Sequence, residues 1–365
     1  MCTALLRAAS PLLAVVIFAS CGGDKSTKPV PIPGIVVPRD YPTPQAGVDA
    51  AEAGETVYLE QGGYSQLETR HIYGEAFPRG ITAALFMKES VAVEGLGDLG
   101  GVVFTDSTGS DSTYGVVFAG VSENTVAYNL ALEGFFTGAL FLGNSGTLSL
   151  TRISGGDVGA WAFQAEQPWV VRCLIENTEF DGVLNQLSDM VIAANIIRNC
   201  AAGVGAELGG QAILQWNILC GNRVGLGANT GANPIAYQNV FIDNTYAGIK
   251  IETGAAPIVV ENDIYDNPVG ISVGFYAEPL PDTLNCTSNF WDTLDLGAIG
   301  QDLIHDRADD AGAGAHVAYR PISPSSFAGL FITFPPRNAC GAGAGAVAPP
   351  GIVDPRATLA RVRKR

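Results

Sequence analysis

The sequence predicts an all-β solenoid in which each coil of about 22 residues contributes three parallel strands. One pattern occurs four times: an Asn, an apolar stretch, a second Asn, then Gly and an aliphatic residue. The spacings between successive copies are 22, 22 and 23 residues. Between these copies, short apolar runs alternate with turns rich in Gly, Asn and Ser. The copies begin at Asn195, Asn217, Asn239 and Asn262.

Three apolar columns recur at the same period and are expected to point inward. Stacked residues would lie at the strand spacing of roughly 4.8 Å, and three columns imply three sheets. Each member of the third column follows a Gly, at 182, 203, 225, 248 and 270. The columns are Val170, Ile192, Leu214, Ala236 and Val259; Ile175, Ile197, Leu219, Phe241 and Ile264; and Val183, Val204, Leu226, Ile249 and Ile271.

The repeated Asn residues predict a ladder of stacked amides at the bend between two sheets. An Asn there can adopt the left-handed conformation and bond the turn through its side chain. We interpret Asn195, Asn217, Asn239 and Asn262 as this structural ladder rather than as a polar binding row. The period extends it back through Cys173, Thr151 and Asn129. A second column would comprise Asn177, Asn199, Asn222, Asn244 and Asn267.

The N-terminal part of the repeat region predicts one short helix over residues 43–53. Thr43 suits the N-cap, Pro44 the first turn, and Gly54 would end the helix. The stretch "DYPTPQAGVDAAEAGETVYLEQGGY" resembles the N-terminal entry of bacterial right-handed parallel β-helix proteins of the pectin-lyase-like group. This resemblance implies a right-handed solenoid whose open end is covered by the helix.

The segment 289–321, "NFWDTL" through "VAYRP", resembles the C-terminal closing segment of the same group. The resemblance therefore spans residues 38–321, and we expect a low-complexity tail over 322–365. The group contains lyases, hydrolases, epimerases, adhesins and binding proteins, so it implies a fold and no single activity.

The first 37 residues predict export. Residues 1–20 read as a signal peptide with a short apolar stretch, and "FASC" resembles a bacterial lipoprotein box that would make Cys21 the lipidated N-terminus. Residues 21–37 would be a tether, with membrane contact through the lipid alone. The expected location is the cell envelope, as an outer-membrane or surface lipoprotein. An ordinary secretory signal, giving a periplasmic or secreted protein, is the alternative.

Charge limits the partners. The net charge is −16, and between residues 40 and 322 ten Lys and Arg stand against 34 Asp and Glu, or −24. Such a surface repels nucleic acid. It also repels polyanionic sugars unless cations intervene. We expect a monomer whose partner is a polysaccharide or a component of the cell envelope.

The sequence favours no cofactor. Cysteines 173, 200, 220, 286 and 340 form no C-x-x-C pair and have no His pattern, which argues against zinc. Export permits disulfides, so their pairing stays open, and we expect mostly buried thiols. Asp306, Asp309 and Asp310 could hold calcium, but a capping role fits them better.

One strip of outward residues is the candidate ligand site. If Val183 and its column point inward, their neighbours face solvent, and aromatic rings beside amides and carboxylates suit a sugar. The alternative buries Trp161 and Phe163 under a long turn. The strip comprises Trp161, Phe163, Gln186, Glu207, Asn229, Lys250 and Glu252, with Leu184 and Ser272 beside them.

Catalytic strings of the group are absent: no R-x-P-x-x-R, G-H-G or D-P-H-D occurs, and the three His residues have no catalytic spacing. We therefore expect an exported protein that binds a carbohydrate or a partner without identifiable catalysis. A polysaccharide lyase or glycoside hydrolase is the first alternative. A structural spacer or adhesin is the second.

Overall fold

The protein is built from three long parallel sheets that wind around one apolar core. The structure, a computed structural model, describes residues 32–72, 80–143, 146–274, 282–332 and 336–341. The described residues from Gly34 onward form one compact unit. Successive coils pair in parallel at the spacing expected from the sequence, for example Val170 with Ile192.

Strands are numbered along the chain, and each coil gives one strand to each sheet. The first sheet contains β1 Ile35–Val37, β2 Thr56–Leu59, β6 Ala92–Gly95, β9 Val126–Tyr128, β12 Thr147–Ser149, β15 Trp169–Val171, β18 Val191–Ala193, β21 Ile213–Gln215, β24 Ile235–Tyr237 and β27 Ile258–Val260. The second contains β3 Gly62–Tyr64, β7 Val102–Thr105, β10 Ala131–Glu133, β13 Arg152–Ser154, β16 Leu174–Glu176, β19 Ile196–Arg198, β22 Ile218–Cys220, β25 Val240–Ile242 and β28 Asp263–Tyr265.

The third sheet has the longest strands. It contains β4 Glu68–Arg70, β5 Ile81–Phe86, β8 Thr113–Ala119, β11 Thr137–Gly143, β14 Val158–Ala165, β17 Asp181–Gln186, β20 Ala202–Glu207, β23 Val224–Ala228, β26 Ala247–Ile251, β29 Val269–Val273 and β31 Ile304–His305. Its β4 alone runs antiparallel to its neighbour. A separate pair, β30 Thr283–Asn285 and β32 His316–Ala318, lies near the C-terminal end.

All three predicted inward columns are confirmed. Each of their fifteen members has 0 % of its surface exposed. The Gly before each member of the third column is needed because the bends stack closely. A Cβ on Gly182 would lie 2.7 Å from the carbonyl oxygen of Gly203.

The Asn ladder is confirmed and runs one rung further than expected. The Nδ2 of Asn217 donates to Oδ1 of Asn239 at 2.8 Å and to the carbonyl of Ile192 at 2.8 Å. The Nδ2 of Asn262 donates in turn to Oδ1 of Asn289 at 3.1 Å, in the closing segment. Each side chain thus joins its own coil to its neighbours inside the wall.

The expected conformation of the ladder was wrong. The left-handed residue is the one before each ladder Asn, such as Trp216 with φ +59° and Gln238 with φ +55°. The ladder Asn follows the bend and points its amide into the coil. Asn129 does not belong to the ladder, because the coil spacing there is 21 residues: Arg152 pairs with Ala131. Asn129 has φ +57° and takes the left-handed position instead.

The second Asn column is also split. Arg198 pairs with Cys220, so Asn199 stacks on Gly221 and Cys200 on Asn222. Asn177 and Asn199 are left-handed, at φ +61° and +57°. The ladder proper comprises Asn222, Asn244 and Asn267, joined by Nδ2-to-Oδ1 bonds of 3.2 and 3.0 Å.

The two ends of the solenoid differ in part from expectation. Helix α1, Pro44–Ala50, has Thr43 as its N-cap but ends before residue 53. Strand β1 lies in the segment expected to be tether and pairs with β2. At the other end, a helical turn α2 Leu296–Ala298 leads into a π-helix Ile299–Leu303. The indole of Trp291, 2 % exposed, lies against the last coil near Gly270.

The chain then returns over the outer face of the second sheet, where the sequence favoured a loose tail. Residues 322–332 include a 3₁₀ turn, Ala328–Leu330, and residues 337–340 form α3, Arg337–Cys340. Ala328 and Phe331 pack on Ile218 and Val240. Asp263 accepts hydrogen bonds from the amides of Phe327 and Ala328 and from the Ser326 hydroxyl. Cys340 forms a disulfide with Cys220. We call residues 322–341 the return segment.

Candidate functional site

The predicted strip forms two neighbouring rows on the outer face of the third sheet. The register stacks Trp161 on Leu184, and Gly227 on Lys250. The second row contains Phe163, Gln186 and Glu207, stacked in that order. It continues through Asn229 and Glu252, whose amides bond to the carbonyls of Ala206 and Ala228, each on the preceding coil. The outward orientation inferred from alternation is therefore confirmed for all seven residues.

The aromatic end of the strip is less open than expected. Trp161 and Phe163 are half-buried and pack against an apolar patch on the same outer face. Their ring centroids lie 5.9 Å apart. The Trp161 Nε1 donates to Oε1 of Gln186 at 3.0 Å, and the Gln186 Nε2 donates to Oε2 of Glu207 at 3.0 Å. A chain of hydrogen bonds thus links the aromatic end to the acidic middle.

A cavity of about 240 Å³ lies at the other end of the strip. Four predicted residues line it, Glu207, Asn229, Lys250 and Glu252, whereas Trp161, Phe163 and Gln186 stand outside. The other lining residues are Phe180, Asp181, Ala201, Ala202, Gly205, Arg223, Val224, Gly227 and Ala228.

The floor of the cavity is low because it lacks side chains. Gly205 and Gly227 are stacked at the position that Leu184 and Lys250 occupy on flanking coils. A Cβ added to Gly205 would collide with Oδ1 of Asp181. Glycine at these two positions therefore leaves room both for the Asp181 carboxyl group and for a ligand.

Two exposed aromatic rings lie where the strands of this sheet begin: Phe180 lines the cavity, and Tyr246 lies beside it, against the lining residues Arg223 and Lys250. Phe180 is 53 % exposed and Tyr246 39 %, which is unusual for large rings. They precede Asp181 and Ala247, which stand three coils apart in one column of the register. At roughly 4.8 Å a coil, this separates the two by about 14 Å. Leu187 and Leu208, 48 % and 41 % exposed, follow the strands on the opposite side.

Asp181 is a lining residue of the cavity that the sequence analysis did not single out. Burial first, and then the neighbouring Glu207 carboxylate, raise the pKa of Asp181 to about 7. Strict alternation from Val183 would place residue 181 inside. The backbone instead bends at Gly182, whose Cβ position faces the core residue Ile197, so Asp181 emerges outside. An acidic residue two positions before a predicted inward column was the available signal.

Both cations of the cavity already have partners. The Nζ of Lys250 lies 2.8 Å from Oε1 of Glu252. The guanidinium carbon of Arg223 lies 5.4 Å from the centroid of the Tyr246 ring, and Lys250 Nζ lies 5.8 Å from it. The cavity therefore presents side chains that can hydrogen-bond to hydroxyl groups of a ligand, and aromatic rings lie close to them.

The sequence analysis also considered a calcium site, the state of the cysteines and a lipid anchor. Among the described residues, no group of three or more His, Cys, Asp or Glu could hold a metal ion. Asp306 instead accepts bonds from the amides of Ala308 and Val317, and Asp309 accepts from the Asp306 amide. Cys173, Cys200 and Cys286 are buried free thiols. Cys21 lies outside the described residues. Over the same part of the chain, no helix is long and apolar enough to span a membrane.

Comparison with known proteins identifies the fold. A family model described as a right-handed beta helix region matches residues 90–241. No curated protein sequence matches the chain. The fold is thus a right-handed β-helix, as the resemblance implied.

Three solved structures of similar fold have titles that name polysaccharide-acting enzymes. The A-module of Azotobacter vinelandii mannuronan C-5 epimerase AlgE4 aligns with a TM-score of 0.52 and 20% identity, covering 67% of this chain and 72% of that one. The AlgE6 A-module from the same organism aligns at 0.50 and 15%, covering 77% and 94%. The catalytic unit of a GH87 α-1,3-glucanase from Streptomyces thermodiastaticus strain HF3-3 aligns at 0.52 and 16%, covering 74% and 56%. At these identities the likeness concerns the fold.

Proposed function

We propose that this protein binds a polysaccharide along the outer face of the third sheet, in the cavity between Phe180 and Tyr246. The observation that carries the proposal is the pair of exposed rings on one edge of a cavity lined by carboxylate, amide and ammonium groups. Aromatic faces stack on the apolar faces of sugar rings, and the polar groups bond their hydroxyls.

The direction of the cavity favours a linear chain. Its rows run across the strands, from coil to coil, so equivalent positions repeat at roughly 4.8 Å along the solenoid. Successive sugar units would meet Phe180, then the small residues of the floor, then Tyr246. Trp161 and Phe163 extend the same face by one further coil beyond Asp181.

Binding to a glycan array tests this proposal. Wild-type protein should bind at least one class of polysaccharide, and Tyr246→Ala should weaken that binding by about 5- to 10-fold, the scale of a lost aromatic contact. Tyr58→Ala is the matched control, because Tyr58 lies in β2 on the outer face of the first sheet. Equal binding by both variants, or no glycan bound by the wild type, would refute the proposal.

A polysaccharide-cleaving enzyme is the second candidate, and Asp181 favours it. A carboxyl group that keeps its proton near neutral pH, beside a second carboxylate, can serve as a general acid. One structure of similar fold is titled an α-1,3-glucanase, which is consistent with this candidate. A reducing-sugar assay on glycans that bind, with Asp181→Asn as the inactive reference, separates an enzyme from a binding protein.

Export and lipid attachment belong to the same proposal. Cys21 would carry the lipid and hold the β-helix at the cell envelope, where polysaccharides are accessible. If so, Cys21→Ser should move the protein from the membrane fraction to the soluble fraction. A protein that partitions unchanged would exclude this anchor. A spacer or adhesin remains if no glycan binds.

A further inference from the structure

The charges of the cavity bear on which polysaccharide it accepts. Five of its lining side chains are ionisable: Asp181, Glu207, Arg223, Lys250 and Glu252. The acidic groups Asp181 and Glu207 lie on neighbouring strands, β17 and β20, in the middle of the strip. The cations stand on β26 and just before β23. Asp181 and Glu207 thus lie in one part of the cavity, whereas Glu252 lies beside the cation Lys250.

A uronate carboxylate would find neither cation available without loss. Lys250 is held by the 2.8 Å ion pair with Glu252, and Arg223 is engaged in a cation–π contact with the Tyr246 ring. Displacing Glu252 from Lys250 would leave one carboxylate without its partner, and that cancels most of the gain.

The acidic middle of the cavity adds direct repulsion. Glu207 accepts a hydrogen bond from a neutral group, Nε2 of Gln186, and this contact does not offset its negative charge. The repeat body around the cavity carries −24 between residues 40 and 322, so the long-range field has the same sign. An uncharged sugar pays neither cost, and its hydroxyls can donate to Glu207 and accept from Lys250 and Asn229.

We propose that the cavity selects an uncharged glycan and rejects polyuronates, with the Lys250–Glu252 ion pair as the element that withholds the cation from a uronate. This inference rests on the proposed polysaccharide binding and names its substrate class. Near pH 7 Asp181, with its pKa raised to about 7, is about half protonated, so the five ionisable groups carry a net charge close to zero. Such a balanced site attracts neither a polyanion nor a polycation.

A preference for an uncharged glycan would distinguish this chain from two proteins of similar fold. The epimerase A-modules from Azotobacter vinelandii are named for mannuronan, a polymer of uronate units. The α-1,3-glucanase is named for an uncharged polymer. Because the likeness extends to the fold alone, the charges of the site decide between the two classes.

Isothermal titration with two series of oligosaccharides tests the proposal. Uncharged gluco-oligosaccharides of several linkages and oligouronates of matched length are titrated into wild-type protein, at low salt and without added divalent cations. We expect the tightest uncharged ligand to bind at least 10-fold more strongly than any oligouronate. Equal or tighter binding of an oligouronate would overturn the substrate class and leave the proposed function standing. Binding of neither series would overturn both.

The variant Glu252→Gln tests the ion pair itself. It releases Lys250 with little change of shape, so oligouronate affinity should rise about 10-fold while the affinity for the uncharged ligand changes less than 3-fold. Glu123→Gln makes the same charge change at an exposed turn before β9 and should leave both affinities unchanged. A rise of equal size in both variants would show a general charge effect and contradict the role of the pair. Unchanged melting temperatures establish that both variants are folded.

Discussion

Single side chains decide both the wall and the cavity of this solenoid. Asn217 bonds four groups on its two neighbouring coils: its amide nitrogen reaches Asn239 and Ile192, and its oxygen accepts from the backbone and side chain of Asn195. All of these groups are buried. Removing the side chain would take away hydrogen bonds that water cannot replace there.

Asn217→Ala should therefore lower the free energy of unfolding by about 1–3 kcal/mol. Asn199→Gly is the control, because Asn199 is exposed, bonds only weakly to Asn177, and stacks on Gly221 in the same left-handed position. Denaturant unfolding measures both. A loss below a few tenths of a kcal/mol for Asn217→Ala would mean that the ladder is not stabilising.

Asp181 gives the stability of the protein a specific pH dependence. Its pKa is 3.8 in an ordinary environment and about 7 in the fold. Between these values the native state holds a proton that the unfolded chain has released. The contribution of Asp181 is therefore present in full below about pH 4 and is lost as pH rises towards 7.

Asp181→Asn should remove this dependence, so its stability relative to the wild type should increase between pH 4 and pH 8. Urea unfolding at several pH values measures the difference. A difference that is the same at both ends of the range would show that Asp181 titrates normally and is not a proton-holding group.

The sequence predicted some of these side-chain positions and missed others. The three inward columns and the outward strip followed from period and alternation, because both are set by the backbone. Asp181 did not follow, since the bend at Gly182 interrupts alternation. The left-handed positions were shifted by one residue, because hydrogen bonds to a neighbouring coil, rather than the conformational tolerance of Asn, select the ladder position.

At the scale of elements, the bend between the second and third sheets depends on a column of glycines. A Cβ on Gly203 would lie 2.7 Å from the carbonyl oxygen of Gly225 and 3.0 Å from Cδ2 of Leu219, so the backbone or the core would have to move. The period alone predicted this column, but its reason is a close approach that only coordinates show.

Gly203→Ala should destabilise the protein by about 1–3 kcal/mol, the usual cost of overpacking. Gly63→Ala, in β3, is the matched control because a Cβ there meets nothing within 4 Å. Thermal unfolding of the two variants compares them directly. Similar melting temperatures would indicate that the bend has slack that the structure does not show.

The structure of the return segment differs from what its composition predicted. Its sequence, rich in Gly, Ala, Pro and Ser, predicted a tail, but Phe331, Ala328 and Cys340 cover an apolar outer face of the second sheet. The outward residues of that sheet, Leu174, Ile196, Ile218, Val240 and Ile242, were a signal: an apolar outer face needs a cover.

Asp263→Asn combined with Cys340→Ser should release the return segment, because these two residues hold it by hydrogen bonds and by the disulfide. Limited proteolysis should then cut between residues 322 and 341 at least 10-fold faster, while the coils before residue 290 stay intact. Unchanged cleavage would mean that Asp263 and the disulfide do not hold the segment, and that apolar packing and the remaining bonds, from Arg198 to the Gly341 carbonyl and from the Ser323 amide to Asn289, are sufficient.

At the scale of the whole molecule, the fold supplies a rigid, repeating scaffold and the third sheet supplies the site. The sequence predicted the scaffold almost completely, since a solenoid repeats one local rule. It predicted four of the cavity residues but not the cavity, which needs Gly205 and Gly227 stacked beside Asp181 and Phe180. The depth of the cavity depends on residues from several neighbouring coils, and the sequence of any single coil does not indicate it.

The location of the ligand is the central claim, and side-chain oxidation footprinting tests it most directly. Wild-type protein saturated with a bound glycan should show Phe180 and Tyr246 at least 5-fold less oxidised than free protein, because both rings are exposed and flank the cavity. Tyr58, on the first sheet, and Leu294, 64 % exposed near the C-terminal end, should be unchanged. Protection of Tyr58 or Leu294 with Phe180 and Tyr246 unaffected would place the glycan elsewhere and contradict the account.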